Sequence, residues 1–344
     1  MEGHPPPPVQ MVQLLAGFQV SQALYAAAKI GVADHLVDGP QTAERLAVQV
    51  DADPVALSRL LRTLSSLGVF TQSSPDTFGL TPLGATLVSD GEGSMRDLAL
   101  MWMETHYAPF GGLADTVRSG ECAATQFYGE PFFSWLAGQP DQVSRFSRAM
   151  ANLTDGIKGG AIASYDFGGA GTIVDVGGAD GALLARVVAG TPDTVGIVFD
   201  RPHVVDEAAA TVKGFGLGDR LTTQGGDFFE SVPAGADTYL LSMVLHDWND
   251  ADATRLLANI RAAADPGARV LAFELVMPTT DEPHMSKMID LTMLGMLDGR
   301  ERTDAEMRAL FEGAGLPMSG HSRPPRRSRS SRPGSPERDH AWVS

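Results

Sequence analysis

The sequence contains little of three things: cysteine, basic charge and long apolar runs. Cys122 is the single cysteine among 344 residues, which excludes an internal disulfide and favours a reducing, cytoplasmic compartment. Lysine and arginine number 26 against 42 acidic residues, and the net charge of −16 opposes binding to nucleic acid or anionic lipid. No stretch reaches the roughly 18 apolar residues of a membrane span, and no basic segment followed by an apolar run marks a signal peptide. We expect a soluble protein without nucleic-acid or membrane partners.

The first 93 residues show the pattern of a winged-helix domain. Thr42 suits the N-cap of one helix, and Pro54 suits the first turn of the next. A Ser-Ser-Pro-Asp turn between two short apolar runs predicts a hairpin. The predicted helices cover 11–36 (two helices), 43–50 and 54–67, and the predicted strands cover 68–71 and 78–81.

The rest of the chain divides into three parts. Residues 94–164 are predicted to be helical, with many aromatic residues, and residues 165–320 alternate apolar runs with helical stretches. Such alternation predicts an α/β domain with a mostly parallel sheet. Its predicted strands cover 172–176, 195–199, 237–244 and 269–276.

Residues 321–344 have a different composition, with six arginines, two acids and many serines and prolines. Such a segment buries too little apolar surface to offset its chain entropy, so we predict disorder. A chain terminus of foreign composition is the preferred explanation. A nucleic-acid-binding or autoinhibitory arm is the alternative.

A glycine turn follows the first predicted strand of the α/β domain. Gly177 and Gly178 allow a tight turn and a close approach to a ligand, and Gly181 lets the next helix pack near the strand. Asp200 ends the second strand, where a carboxylate can accept both hydroxyls of a ribose. NAD-dependent dehydrogenases share this arrangement and are one alternative.

Later segments favour another class of enzyme. Asp227 and Phe228 place a carboxylate beside an aromatic face, which suits adenine. His246 lies at the carboxyl end of a predicted strand, where open α/β sheets bind their ligands. Together with the glycine turn, the ordered segments DVGGADG, FDRPHVV, GDFF, LHDW and GRERT resemble those of S-adenosylmethionine-dependent O-methyltransferases of the plant caffeate and bacterial polyketide-tailoring type. The resemblance covers residues 12–318.

The resemblance implies a homodimer formed through a mainly helical winged-helix dimerisation domain (1–93). It also implies connecting helices that line the substrate pocket (94–164) and a Rossmann-like methyltransferase domain (165–320). His246 would be the general base, with Glu274 and Glu301 steadying its imidazole. The implied cofactor residues are Asp175, Gly177, Asp200, Arg201, Gly226, Asp227, Phe228, Ser242 and Trp248. The implied substrate residues are Trp102, Met103, Met150, Asn152, Met288, Met293 and Leu297.

The chemistry of these residue types supports that assignment. A phenol has a pKa of about 10 and histidine one of about 6.5, so a neutral His246 can remove the phenolic proton. The methyl donor is already activated by its positive charge, so no metal site is predicted. Few polar groups occur among the pocket candidates, which favours a planar, apolar substrate such as a polyketide or a hydroxylated aromatic acid. For Glu301, compensation of the dipole of the helix that begins at Thr303 is the alternative role.

Two departures and two further alternatives remain. Ala179 replaces a glycine common in the family, a mild change if φ is negative there. Residues 321–344 stand where relatives have strands that complete the sheet, so one sheet edge is expected to be bare. A relative that hydroxylates or decarboxylates polyketides is the alternative within the family. A winged-helix DNA-binding regulator is the alternative in another class, although its recognition helix offers only Arg59 and Arg62.

Overall fold

A computed structural model describes residues 5–89, 91, 93–318, 320–322 and 339–343. The helices are α1 (Pro7–Leu15), α2 (Gly17–Ile30), α3 (Ala43–Gln49), α4 (Pro54–Ser66), α5 (Pro82–Ala85), α6 (Arg96–Met101), α7 (Leu113–Ser119), α8 (Ala123–Tyr128), α9 (Phe132–Ala137), α10 (Pro140–Ser164), α11 (Ala182–Gly190), α12 (Pro202–Gly214), α13 (Asp250–Ala263), α14 (Met285–Met296) and α15 (Asp304–Gly313). The strands are β1 (Gln41–Thr42), β2 (Phe70–Ser74), β3 (Thr77–Leu80), β4 (Thr172–Val176), β5 (Val195–Asp200), β6 (Leu221–Gly225), β7 (Thr238–Ser242), β8 (Arg269–Leu275), β9 (Gly320–Ser322) and β10 (Asp339–Val343). Among the described residues, no helix combines the length and the apolar composition that crossing a membrane requires.

The chain forms two compact units. The first comprises Met1–Ala108 and Leu136–Leu153, and the second comprises Pro109–Trp135 and Thr154–Ser344. The first unit contains the winged-helix elements in the predicted order. The domain boundaries at residues 93, 164 and 320 stay predictions.

Helices α3 and α4 begin where the sequence predicts, whereas the two helices predicted over residues 11–36 occupy Pro7–Leu15 and Gly17–Ile30. Thr42 Oγ1 accepts the Arg45 amide at 3.3 Å, so Thr42 caps α3. Asp53 Oδ1 accepts the Ala56 amide at 2.8 Å, and Pro54 follows it at the first helical position of α4. The apolar face of α4 is buried, and β2 pairs antiparallel with β3 as the predicted hairpin.

The second unit contains a seven-stranded sheet with the order β6-β5-β4-β7-β8-β10-β9. The strands from β6 to β8 pair in parallel, and β10 and β9 pair antiparallel. The four strands predicted for this domain are confirmed. Strand β6 was not predicted, because it is a mostly exposed polar edge strand in which Leu221 alone is buried.

Alternate residues of the central strands enter cores on opposite faces of the sheet. In β7, Tyr239 and Leu241 pack with α13 and α15, whereas Leu240 packs in the cluster that contains α11. Because side chains alternate along a strand, this burial shows that helices cover both faces. The fold is therefore the predicted Rossmann-like α/β fold. Its strand order reverses between β4 and β7, where ligands bind at the carboxyl ends of such sheets.

The expectation for the C-terminal residues needs correction. Residues 320–322 and 339–343 form β9 and β10, and β10 pairs with β8 from Asp339↔Leu275 to Val343↔Leu271. The edge of β8 is therefore paired, and neither segment is disordered. The disorder prediction used the average composition of residues 321–344. Five of the six arginines in that range lie within 323–332, outside the two strands. The part of the prediction that concerns 323–338 lies outside the described residues.

Candidate active site

The glycine turn after β4 lies against the loop that follows β7. Gly177 has φ +75°, a conformation that favours glycine. A Cβ at this position would lie 2.9 Å from Val244 Cγ2, closer than packed side chains approach. The two loops at the strand-order reversal are therefore in direct contact, and glycine permits it. Asp175 is buried within β4, and its carboxyl carbon would be 3.1 Å from a Cβ at Gly178.

The condition for a mild change at Ala179 is not met. Its φ is +48°, in the left-handed region where an L-residue costs about 1–2 kcal/mol relative to the right-handed one. The Ala179 amide donates to Asp200 Oδ2 at 3.0 Å, which holds the turn against the end of β5. The alanine therefore introduces local backbone strain beside the predicted cofactor residues.

Asp200 is the last residue of β5, and each of its carboxylate oxygens accepts one backbone amide. Its Oδ1 accepts the Arg201 amide at 2.7 Å, and the Gly226 amide donates to the Asp200 carbonyl at 2.9 Å. Burial raises the pKa of Asp200 above its ordinary value, despite these hydrogen bonds and the nearby charges of His203 and Arg201. A carboxylate has about four acceptor sites, so Asp200 keeps capacity for ligand hydroxyls. The side chain of Arg201 is exposed.

Phe228 and Trp248 belong to a group of perpendicular aromatic rings. The Trp248 centroid lies 5.8 Å from that of Phe228 and 4.6 Å from that of Phe229. Asp227 Oδ1 accepts the Phe229 amide at 2.8 Å and fixes the turn before the rings. The indole Nε1 of Trp248 is buried and has no hydrogen-bond partner in the described part of the chain. An indole N–H of this kind is a donor available to a ligand.

His246 is buried on a short turn after β7 and contacts a carboxylate. Ser242 ends the strand, Met243 follows with φ +56°, and the turn Leu245–Asp247 carries the imidazole. His246 Nδ1 lies 2.7 Å from Glu301 Oε1, and Nε2 lies 3.4 Å from Asp247 Oδ1. The predicted pairing of His246 with Glu301 is thus present in the structure.

Glu274 holds the backbone of this turn instead of the imidazole. It lies on β8, which pairs with β7 as predicted, and its Oε1 accepts the amides of Val244 at 3.0 Å and Leu245 at 2.9 Å. Glu274 therefore acts on the imidazole through its charge and through the backbone before the histidine, and its predicted role in steadying the ring stays a prediction. The other oxygen of Glu274 and that of Glu301 are buried without a hydrogen-bond partner among the described residues.

The carboxylates around His246 shift the pKa of its imidazole. Burial by itself lowers the pKa, but the charges of Asp247, Glu301 and Glu274 and the Glu301 hydrogen bond outweigh it, and the pKa is raised to about 9. For Glu301, burial raises the pKa of the carboxyl group, and the hydrogen bond and charge of His246 act to lower it. The carboxylates around the ring therefore favour its protonated form, and the neutral form that a base needs is reached by a rise in pH.

Two residues of the site, Gly299 and Arg302, were not among the predicted site residues. A Cβ at Gly299 would lie 2.0 Å from the carbonyl oxygen of His246. Arg302 is only 2% exposed and donates to the carbonyls of Leu245 and Trp248. Both occur in the segment Gly299-Arg-Glu-Arg-Thr, which was the one available signal. The helix predicted after it is confirmed, and Thr303 and Glu306 form its capping box.

The predicted substrate residues are divided between the two units. In the second unit, Met293 is buried on α14, Leu297 is half-buried, and Met288 is 67% exposed. In the first unit, Asn152 donates to the Ser94 carbonyl at 2.7 Å, and Met150 packs beside Met101. Trp102 and Met103 begin a π-helix (Trp102–His106). The structure explains Asn152 and Met150 by local packing, and their contact with substrate stays a prediction.

Comparisons with known families fit this geometry. Residues 110–317 match the model of the O-methyltransferase domain, and residues 12–90 match that of the O-methyltransferase dimerisation domain. The chain belongs to the O-methyltransferase family.

Relatives in the family act on different acceptor atoms. The chain is 39% identical to a phenazine O-methyltransferase of Lysobacter antibioticus, with 90% of each chain covered. It is 35% identical, again over 90% of each, to an 8-amino-8-demethylriboflavin N,N-dimethyltransferase of Streptomyces davaonensis. An O-methyltransferase from neocarzinostatin biosynthesis, solved with S-adenosylhomocysteine and 1,4-dihydroxy-2-naphthoic acid, has a TM-score of 0.79 at 32% identity, covering 96% of this chain and 97% of that one.

This O-methyltransferase uses S-adenosylmethionine. Three observations show that the residues present fit that cofactor. The turn at Gly177 leaves no room for a Cβ, Asp200 keeps free acceptor capacity, and the buried indole N–H of Trp248 has no partner in the described residues. The family match favours methyl transfer over the dehydrogenase alternative.

Proposed function

We propose that this O-methyltransferase methylates a hydroxyl group on a planar, fused-ring aromatic secondary metabolite. The named substrates of its relatives include a phenazine, and the neocarzinostatin enzyme was solved with a dihydroxynaphthoic acid. The predicted pocket residues of this chain are mostly apolar or sulfur-containing, and methionine adapts well to flat rings. The predicted cytoplasmic location stays a prediction.

The observation that carries the catalytic proposal is the buried hydrogen bond between His246 and Glu301. The carboxylate fixes the tautomer of the ring by holding Nδ1, so that Nε2 is the atom that faces an acceptor hydroxyl. His246 then takes the proton of the phenol as general base, and Glu301 stabilises the resulting imidazolium. Glu274 acts on His246 indirectly, because it accepts the amides of Val244 and Leu245 in the turn before the histidine.

The remaining site residues bind and align. Bound S-adenosylmethionine supplies a methyl group on a positively charged sulfur, which makes that carbon electrophilic. Asp200 accepts ribose hydroxyls in this proposal, Asp227 and Phe228 hold the adenine, and Gly177, Ser242 and Trp248 border the rest. Asp175 supports the glycine turn from within β4, and the Gly226 and Arg201 amides hold Asp200 in place.

A homodimer formed through the N-terminal domain completes the proposal. The dimerisation family match supports it, and so does a row of exposed apolar side chains in the first helices. These are Val9, Met11, Val12, Leu14, Leu15 and Phe18. Apolar surface of this kind on a helix is typical of an interface.

The test uses pairs of fused-ring acceptors that differ only in carrying a hydroxyl or an amino group at one position. Wild-type enzyme and His246→Asn are each incubated with S-adenosylmethionine, and product mass and S-adenosylhomocysteine are measured. We expect His246→Asn to lose hydroxyl methylation by about 100-fold or more, because general-base catalysis contributes about that much. His35→Asn, in the first unit, is the matched control and should retain activity.

Cofactor binding is measured separately by titration with S-adenosylhomocysteine. His246→Asn should bind it like wild type, because the proposed role of the imidazole is proton removal. If the variant methylates the hydroxyl at the wild-type rate, the base assignment is wrong. If only the amino-bearing acceptors are methylated by wild type, the acceptor is nitrogen, as in the riboflavin-type relative.

A further inference from the structure

Arg302 is a buried arginine whose side chain donates three hydrogen bonds among the described residues, all to the segment that carries His246. Its NH1 donates to the Leu245 carbonyl at 2.7 Å and its NH2 to the Trp248 carbonyl at 2.8 Å. Its Nε donates to Asp250 Oδ1 at 2.9 Å. The guanidinium therefore binds this segment before and after the histidine.

The buried guanidinium of Arg302 is paired with one carboxylate and two backbone carbonyls. Burying a guanidinium costs several kcal/mol unless hydrogen bonds and a counter-charge offset it. Asp250 supplies the charge at 2.8 Å from NH2, and the two carbonyls accept from NH1 and NH2. The planar fork makes these bonds at fixed angles, which the single ammonium group of a lysine cannot reproduce.

Arg302 is also fixed from its own side of the chain. Its backbone pairs with Val276, and its carbonyl accepts the Met277 amide at 2.9 Å, so it is tied to the residues just after β8. Glu301 precedes it in the same extended segment, and adjacent residues of an extended chain point to opposite sides. One short segment therefore holds the imidazole through Glu301 and the backbone of the histidine turn through Arg302.

We propose that Arg302 is a positioning residue that fixes the ring of His246 against Glu301 and, through the Trp248 carbonyl, fixes the indole beside it. This inference rests on the proposed role of His246 as the base. Loss of the Arg302 hydrogen bonds lets the histidine turn shift while Glu301 stays in place. The imidazole of His246 then moves away from the Glu301 carboxylate. A displacement of about 1 Å at a reacting group costs about 100-fold in rate.

The experiment compares Arg302→Lys and Arg302→Gln with Arg300→Gln. Arg300 is a suitable control because it lies two residues away and its exposed side chain pairs with Glu306 and, at 3.8 Å, with Asp250. The measurements are steady-state kinetics with a hydroxyl-bearing acceptor, S-adenosylhomocysteine affinity, thermal unfolding, and the NMR titration of the His246 ring. The groups that face this ring are Asp247, Glu301 and Glu274.

We expect Arg302→Lys to fold, to keep its acceptor KM and to lose about 100-fold in kcat. Its His246 signal should lose the hydrogen-bonded Nδ1 proton, and the pKa of His246 should fall from about 9 toward 6.5. Arg300→Gln should change none of these values. A stabilising role alone would lower the unfolding temperature and leave kcat and the His246 titration unchanged, which would overturn the proposal.

The NMR titration separates this inference from the proposed function, because it needs no methyl transfer. If His246→Asn keeps its turnover, the base assignment falls, but a changed ring titration in Arg302→Lys still supports positioning. If Arg302→Lys and Arg302→Gln do not fold, Asp250→Asn takes their place, since it removes the exposed counter-charge of the guanidinium. It also removes the 3.8 Å pairing with Arg300, and Arg300→Gln is the control for that loss. A smaller shift in the same direction supports the proposal, and a wild-type titration and kcat contradict it.

Discussion

Gly299 lies against the backbone of His246, and a Cβ at position 299 would be 2.0 Å from the histidine carbonyl oxygen and 2.4 Å from the carbonyl carbon of Asp247. Both clashes are with backbone, so no side-chain rotation can relieve them. The segment from Gly299 to Arg302 thus constrains His246 in three ways: by close packing at Gly299, by the Glu301 hydrogen bond and by the Arg302 guanidinium.

Gly299→Ala should therefore move the histidine turn. We expect a loss of about 100-fold in kcat, from a displacement of about 1 Å, together with a lower unfolding temperature. Gly190→Ala is the matched control, because a Cβ at Gly190 meets nothing within 4 Å at the end of α11. Equal kcat values for the two variants would show that the turn tolerates a Cβ at 299.

Ala179→Gly should stabilise the protein. Ala179 has φ +48°, and glycine relieves the backbone strain of about 1–2 kcal/mol at that angle. Glycine also loses more conformational entropy on folding, which costs about 0.5–1 kcal/mol. The net gain expected in denaturant unfolding is about 0.5–1 kcal/mol. Ala189→Gly, at an exposed position of α11, should instead destabilise by about 1 kcal/mol. The same sign for both variants would contradict the backbone explanation.

The pH profile of the enzyme should report the raised pKa of His246. A general base acts in its neutral form, so kcat/KM for the free enzyme should rise with pH and level off above about 9. Glu301→Gln removes a charge that favours the imidazolium, so the inflection should move to lower pH. Glu312→Gln, exposed on α15, should leave the inflection in place. An unchanged inflection in Glu301→Gln would show that another group controls the profile.

The same shift predicts how stability depends on pH. Because the pKa of His246 in the folded protein is above the ordinary 6.5, its contribution to stability is complete below pH 6.5 and is lost as pH rises through about 9. The difference in unfolding temperature between wild type and His246→Gln should therefore shrink over that window. A difference that grows over this range would contradict the raised pKa.

Leu14→Glu should weaken the proposed homodimer. Leu14 is 75% exposed in the single chain, and a charge within an apolar interface is costly to bury. Sedimentation at micromolar concentration should show a dimer for wild type and a shift toward monomer for the variant. Gln13→Glu adds the same charge one residue away at a polar position and should remain dimeric. A monomeric wild type would refute the dimer.

Much of the fold was predictable from local pattern. The cap at Thr42, Pro54 in the first turn of α4, the hairpin of β2 and β3, and the alternation that gives β4, β5, β7 and β8 are encoded by residues near one another in sequence. The position of His246 at the end of a strand was predictable for the same reason. Strand β6 was not, because an exposed edge strand needs no apolar alternation.

The sequence by itself determined most of the helices and strands, the glycine turn, and the identity of the histidine and of Glu301 and Glu274, because each depends on spacing along the chain or on the chemistry of one residue. Only the tertiary structure decided that Glu301 binds the ring while Glu274 binds backbone, that Ala179 is left-handed, and that Arg302 holds the histidine turn. It also decided that β10 covers the edge of β8. The contacts among these features join residues up to 72 positions apart, as in the pairing of Val343 with Leu271. The folded backbone and the burial of each side chain select among the partners that the composition allows.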